Sequence, residues 1–152
     1  MRCLQKQNNE TIFYMNVLKQ TLINYFKDKK EIRAVCLYGS FISGKFHANS
    51  DVDIALLTIP FNDRMKSIAE RVRYQTEISK LLKRNVDLVF LQEVGEILAF
   101  QIIKNGEVIL ENNKDAHRSF RAFLLIKCLD FQFLENRMQK GMLATMRGIN
   151  NG

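Results

Sequence analysis

The 152-residue sequence has no tryptophan, a single proline and three cysteines, and no apolar run in it is long enough to span a membrane. Its cysteines are far apart and form no CxxC pair, which disfavours a disulfide framework or a zinc site and favours reduced thiols. No linker or low-complexity tract divides the chain, and the polar N-terminus lacks the apolar segment of a signal peptide. These absences predict one cytoplasmic domain over residues 1–152 that does not enter a membrane.

The composition is that of a globular protein, with 47% hydrophobic and 26% charged residues. Lysine and arginine outnumber the acidic residues and give a net charge of +7. A positive surface suits a nucleotide, a nucleic acid or an acidic protein face. On charge alone, a basic solvated surface with no particular partner explains the composition equally well.

Periodicity predicts an alternation of helices and short strands. Apolar residues recur at helical spacing between Thr11 and Lys27. Short β-rich segments at 32–38, 51–57 and 86–91 predict three strands, and 107–110 predicts a brief fourth. The fold class is therefore α/β or α+β, with helices flanking a small sheet.

The second half of the chain adds helices. Pro60 and Asn62-Asp63 predict a turn and a helix cap, and the following apolar stripe begins with Met65, Ile68, Ala69 and Val72. A short helix is predicted before the turn at Asn105-Gly106. The core then covers about 11–112, and a C-terminal helix covers about 115–140, with a loosely held tail after Gly141.

Two aspartates stand at the start of the second predicted strand, and a third stands in the next one. Asp51 and Asp53 point to the same face because residues two apart on a strand do so, whereas Val52 and Ile54 point to the other. Asp87 likewise points to the face of its strand that is opposite the apolar residues. Such carboxylates repel each other unless a cation offsets them, and Mg²⁺ prefers hard oxygen ligands. The pattern predicts a magnesium site, although a solvated Asp-x-Asp pair is common.

Gly39 and Ser40 follow the first predicted strand directly. A glycine there lets the backbone approach a ligand, and the serine hydroxyl can donate to a phosphate oxygen. Gly44 adds a second flexible point and Lys45 a nearby cation. A strand followed by Gly-Ser is by itself an ordinary turn, so the signal lies in its conjunction with the aspartates.

That conjunction, Gly39-Ser40, ten residues, "DVDIALL" and then "VDLVFL", resembles the signature of the DNA polymerase β-type nucleotidyltransferase superfamily. The short chain and "ILAFQIIKNGEVIL" resemble its minimal nucleotidyltransferase branch, whose members are commonly antitoxins of HEPN-domain ribonuclease toxins. The resemblance implies a polymerase β-like core with a small mixed sheet.

The resemblance also implies roles for individual residues. Asp51, Asp53 and Asp87 would be catalytic and would bind two Mg²⁺ ions, and Gly39 and Ser40 would hold the phosphates of ATP. Asp87 would help deprotonate the attacking hydroxyl. Many family members carry arginine where this chain has Ser43, and Lys45 could supply the charge without the bidentate geometry of arginine.

Three functions remain open at this stage. The first is transfer of AMP from ATP to a tyrosine of a cognate HEPN toxin, in a possible hetero-oligomer with that toxin. The second is a non-catalytic antitoxin that acts by binding. The third is a nucleotidyltransferase acting on a small molecule or RNA, although no basic motif interleaved with aromatic residues supports nucleic acid as the substrate.

The predicted C-terminal helix bears on the second function. It carries apolar residues that could contact a partner, although burial of most of them in the core is the more ordinary expectation. These residues are Phe120, Phe123, Leu124, Phe131 and Phe133. His47 and His117 show no metal-ligand spacing and receive no role.

Overall fold

The computed structural model describes the backbone of residues 2–44 and 50–149 and the side chains of residues 12–44 and 50–132. Lys45 and His47 lie outside these residues. In chain order the elements are α1 (Arg2–Phe26), β1 (Ile32–Tyr38), β2 (Val52–Thr58), α2 (Arg64–Leu82), β3 (Val86–Phe90), α3 (Glu96–Asn105), β4 (Glu107–Glu111) and α4 (Lys114–Ile149), with a short 3-10 turn at Gly39–Phe41.

The four strands form one mixed sheet in the order β3-β2-β1-β4. β1 is antiparallel to both β2 and β4, and β3 is parallel to β2. Helix α2 makes the crossover that a parallel pair requires. The predicted fold class and the mixed sheet are confirmed, and β3 and β4 form the edges.

Alternation along the strands gives the sheet two buried faces. On the α1/α2 face, Val52, Ile54 and Leu56 of β2 pack with Phe26 of α1 and Tyr74 of α2. On the α3/α4 face, small strand residues meet residues of α3 and α4. These are Ala34, Cys36, Ala55 and Leu57 from the strands and Ala99, Ile102 and Leu124 from the helices. A sheet covered on both faces is buried enough to hold its strands without a disulfide.

The predicted first helix is confirmed in its inner half, where Leu18, Leu22 and Phe26 are buried. In its outer half the predicted apolar face fails, since Ile12 is 56% exposed. The described residues of α1 that reach the core lie from Tyr14 onward, so Ile12 is not part of the buried face.

The second helix begins as predicted, with the Asp63 side chain accepting a hydrogen bond of 3.0 Å from the Met65 amide. The start of its predicted apolar stripe is wrong, because Met65 is 70% and Val72 56% exposed. The buried side is formed by Ser67, Tyr74 and Ile78. Ser67 and Tyr74 are buried because their hydroxyls donate to Glu93 and Glu31, pairings that hydrophobic periodicity does not reveal.

Helix α4 runs to Ile149, past the predicted end near residue 140. Leu124 is buried as expected and Phe120 packs partly against the core, but Phe123 is 47% and Phe131 50% exposed. The expectation that most of these residues belong to the core is wrong for Phe123 and Phe131. Phe123 is exposed although the next residue, Leu124, is buried, so it points away from the core on the other side of α4. The side chain of Phe133 lies outside the described set. Of the described helices, none is long and apolar enough to cross a membrane.

Candidate active site

The parallel pairing of β2 and β3 brings two of the predicted site residues together. Asp53 lies directly opposite Asp87 in this register, as Val52 lies opposite Val86. Paired residues of neighbouring strands point to the same face, so both carboxylates stand on the α3/α4 side of the sheet. The prediction that the second and third strands present their aspartates on one surface agrees with this register.

Asp51 precedes β2, which begins at Val52 rather than at Asp51 as predicted. It is exposed, and its charge acts on Asp53. The three aspartates therefore lie at one end of the sheet, where β2 and β3 begin. Within the described side chains, however, no group of three or more His, Cys, Asp or Glu residues is close enough to hold a metal ion.

Gly39 lies directly against the Asp53 carboxylate. Its φ is +68°, and a Cβ placed on it would lie 2.0 Å from Asp53 Oδ2. Any side chain at this position would displace the carboxylate, and the left-handed backbone independently favours glycine. The Gly-Ser turn therefore joins the aspartates at the site, as the sequence predicts for a turn that approaches a ligand closely.

The Asp53 carboxyl has a pKa above its ordinary value of 3.8. Burial is the largest cause, the negative charge of Asp87 is the second, and the charge of Asp51 adds to both. A backbone hydrogen bond from Ser40 partly offsets them. A carboxylate destabilised in this way by burial and by like charge is one that a bound cation would stabilise.

Tyr38 is a site neighbour that sequence reasoning missed. It pairs with Asp53 across β1 and β2, so that Tyr38, Asp53 and Asp87 form a row over three strands. Burial, then Asp87 and Asp53, raises the pKa of Tyr38 to about 12. Its place as the last residue of β1, two positions before Ser40, is the signal that could have identified it.

The turn after β1 is closed by backbone hydrogen bonds. The amides of Ile42 and Ser43 both donate to the Gly39 carbonyl, at 3.3 and 3.1 Å. Between this turn and α3 is a cleft of about 410 Å³ lined in part by Tyr38, Ser43 and Leu98. Ser43, which stands where many family members carry arginine, thus lines a cleft that adjoins the site.

His117 has a structural environment away from this end of the sheet. It is 3% exposed, and its Nδ1 is 2.5 Å from Glu111 Oε1, an arrangement that joins α4 to β4. His117 therefore links α4 to the end of β4.

The donor set fits a divalent cation that carries phosphates. Asp51, Asp53 and Asp87 offer only hard oxygen ligands, and Mg²⁺ is usually held by one or two carboxylates together with substrate phosphates. The backbone of Gly39 and Ser40 stands beside Asp53. The arrangement can therefore bind a metal–polyphosphate complex between a turn and a carboxylate pair.

The chain is similar in sequence to known proteins. Residues 20–115 match the family described as polymerase beta, nucleotidyltransferase. The protein adenylyltransferase MntA of Shewanella oneidensis is 31% identical over 85 residues, which are 56% of this chain. The matched segment spans only 58% of the length of that relative.

Solved structures share the fold. One is a toxin–antitoxin with AMP-PNP, which aligns with a TM-score of 0.65 at 22% identity over 82% of this chain and 98% of that one. Another is the tri-AMPylated Shewanella oneidensis HEPN toxin in complex with an MNT antitoxin, with a TM-score of 0.62 at 18% identity over 85% of this chain and 98% of the other. At these identities the likeness establishes the architecture.

Proposed function

The chain belongs to the polymerase beta nucleotidyltransferase family, and we propose that it transfers AMP from ATP to a tyrosine hydroxyl of a HEPN-domain toxin and thereby acts as its antitoxin. The observation that carries the proposal is the register that sets Asp53 beside Asp87 with the Gly39 backbone against Asp53. The relative named as a protein adenylyltransferase, and the fold shared with toxin–antitoxin complexes, support the choice of nucleotide and partner.

Each site residue has a proposed role. Asp51, Asp53 and Asp87 are the residues that would hold Mg²⁺, two ions in this proposal, and the Gly39-Ser40 turn would hold the terminal phosphates through backbone N–H groups and the serine hydroxyl. Bound Mg²⁺ would neutralise phosphate charge and stabilise the attacking and leaving oxygens. Burial and the negative charge of Asp87 keep the pKa of Asp53 raised, so a bound cation would stabilise the Asp53 carboxylate.

The transfer forms one bond and breaks another. The acceptor oxygen bonds to the α-phosphorus of ATP while the bond from that phosphorus to the bridging oxygen breaks, and pyrophosphate leaves. Asp87 takes the hydroxyl proton directly or through water. The product is a phosphodiester between AMP and the acceptor, and positioning carries most of the rate enhancement, as is usual in phosphoryl transfer.

The acceptor side of the site is open. Asp87 is exposed and lies on β3, an edge strand, so that a hydroxyl carried by a large molecule can reach it. A macromolecular acceptor therefore needs no pocket of its own in this chain. We also propose a cytoplasmic location, which suits the free thiols of Cys36 and Cys128.

The test uses the purified protein, a cognate HEPN-domain toxin, Mg²⁺ and ATP labelled at the α-phosphate. Label is expected on a tyrosine of the HEPN protein, with loss of its ribonuclease activity. Asp51→Asn combined with Asp53→Asn should abolish labelling. Asp28→Asn removes an exposed carboxylate before β1, at the opposite end of the sheet, and should leave labelling unchanged. Absence of label with folded wild-type protein and metal would disprove the proposal.

A specific observation also supports an antitoxin that acts by binding alone. Helix α4 exposes apolar side chains along its described part, and these are Phe123, Leu125, Ile126, Leu129 and Phe131. Exposed apolar patches of this kind commonly mark protein contacts. If the double aspartate variant still forms the complex and fully neutralises the toxin, binding is the function; if it forms the complex but no longer neutralises the toxin, transfer is.

A further inference from the structure

A cationic pocket lies at the edge of the sheet where α2 ends and β3 begins. It has a volume of about 550 Å³, and its lining includes Lys80, Lys83, Arg84 and Asn85. Among the described lining residues Asp51 is the one carboxylate. Three positive charges against one negative charge give this edge pocket a potential that attracts anions.

The cations of the edge pocket are held differently. Arg84 Nη1 donates to the Ser50 carbonyl at 3.2 Å, and its guanidinium lies 4.8 Å from the centre of the Tyr14 ring. In the described part of the chain, Lys80 and Lys83 have neither a hydrogen bond nor an ion pair through their ammonium groups. Arg84 is thus anchored as part of the wall, and the two lysines retain their donors for a ligand.

The backbone of Lys83 is a second, independent feature of this pocket. Lys83 has φ 52° and ψ 40°, and it is the one non-glycine residue with positive φ in the described chain. Helices usually place glycine at such a left-handed end, because a side chain there costs conformational energy. The chain instead carries lysine at this position, and strained residues of this kind cluster at ligand sites.

Strand order places the edge pocket relative to the Gly39-Ser40 turn. The turn follows β1, the pocket precedes β3, and β2 with Asp51 at its start lies between them. Under the proposed function the turn holds the terminal phosphates of ATP. The edge pocket then lies on the other side of Asp51, next to the strand that carries Asp87 and receives the acceptor.

We propose that the edge pocket binds the phosphate of an acceptor that already carries AMP, as product or as substrate for a further addition. This inference rests on the proposed function, because that reaction creates a phosphodiester on the acceptor hydroxyl. Lysine ammonium groups bind phosphate as point charges, and the anchored Arg84 adds charge to the wall. The pocket thereby gives the site a preference for a nucleotidylated protein.

The test is calorimetric titration of the full chain with tyrosine esterified to AMP, with pyrophosphate and with a glutamate-rich peptide, all without divalent metal. Lys80→Gln and Lys83→Gly are compared with Lys104→Gln, which removes a lysine from the last turn of α3 just as Lys80→Gln does from α2. Lys83→Gly relieves the left-handed backbone, so its melting temperature should equal or exceed that of the wild type. Weaker binding by this variant then reflects the lost charge.

The expected result is binding of AMP-tyrosine that weakens about 10-fold or more in each pocket variant, the loss of one charge-assisted hydrogen bond, and not in Lys104→Gln. Unchanged affinity, a loss confined to pyrophosphate, or an equal loss for the glutamate peptide would overturn the proposal. The titration involves no turnover, so a protein that transfers no AMP would disprove the proposed function and still leave this result interpretable.

Discussion

The two faces of the sheet differ in the size of the side chains that they bury. The α1/α2 face holds Phe26, Tyr74 and Phe90, among the largest fully buried side chains of the described residues. The α3/α4 face is lined by Ala34, Cys36 and Ala55. Large side chains remove more apolar surface from water, so the α1/α2 face contributes more of the stability.

The carboxylates stand at the rim of the small-residue face. Along β2 the alternation sends Ile54 to one face and Asp53 to the other, so a single strand serves both the core and the site. A charge that is partly buried beside another charge destabilises the fold, and the opposite face offsets this cost. Substitutions at neighbouring residues of β2 should therefore have separate effects, one on the free energy of unfolding and the other on the rate of transfer.

The largest expected effect is that of Asp53→Asn on transfer. We expect a loss of at least about 100-fold, the upper end of what removing even an outer-shell partner of a metal costs. The free energy of unfolding at neutral pH should increase. The pKa of Asp53 is raised in the folded protein, so stability falls as the pH rises through the interval above its ordinary value of 3.8.

Asp53→Asn removes this loss of stability with rising pH. Urea unfolding at neutral pH should therefore show that the variant is more stable than the wild type. Asp28→Asn serves as the control. A variant that transfers poorly and is also less stable at neutral pH would show that Asp53 is a structural carboxylate.

Ile54→Ala tests the opposite face through the adjacent residue. Ile54 is fully buried, and its truncation should cost about 2–5 kcal/mol in the free energy of unfolding. Transfer measured well below the melting temperature should change little. A cost under about 1 kcal/mol would mean that the α1/α2 face is not the main source of stability.

Gly39→Ala and Gly44→Ala form a matched pair. Both glycines have positive φ, +68° and +72°, so both variants carry a conformational cost of about 1–2 kcal/mol. A Cβ on Gly39 meets the Asp53 carboxylate, whereas a Cβ on Gly44 meets no described atom within 4 Å.

Chemical denaturation and transfer assays should therefore find Gly39→Ala the less stable of the two and the one that loses activity. Equal behaviour would show that the close approach to Asp53 is unimportant.

The smallest expected effect concerns Glu111 on the α3/α4 side. Its hydrogen bond with His117 holds the pKa of Glu111 below the ordinary value of 4.5. The stabilisation that this hydrogen bond gives the folded protein is present above pH 4.5 and is lost as the pH falls through the lowered pKa of Glu111. Glu111→Gln should be less stable than the wild type at neutral pH by less than about 1 kcal/mol, because the carboxylate is exposed. A difference that grew in acid would contradict the assignment.

Local pattern predicted much of this molecule. The strands, the Asp63 cap and the inner face of α1 follow from spacing and residue type alone. The buried side of α2 does not, because Tyr74 is buried only when Glu31, far away in the sequence, accepts its hydroxyl at 2.6 Å. A hydropathy scale gives tyrosine a single value, whether or not its hydroxyl has a hydrogen-bond partner.

The site shows the same limit. The spacing of Asp51 and Asp53 gives their shared direction, but the pairing of Asp53 with Asp87 depends on strand order. The position of Tyr38 at the end of β1 was a signal, but a tyrosine that ends a strand is ordinary until its cross-strand neighbour is known. The edge pocket likewise arises where two separate turns meet beside the start of β2.

The edge position of β3 has one more consequence. A strand with an unpaired side can recruit another strand and start aggregation, and charged side chains on such strands discourage it. Asp87 is the charged residue of this five-residue strand. Neutralising it would remove a safeguard against self-association along with a proposed metal ligand, so inactive Asp87 variants have to be shown monodisperse by light scattering before their loss of activity is attributed to chemistry.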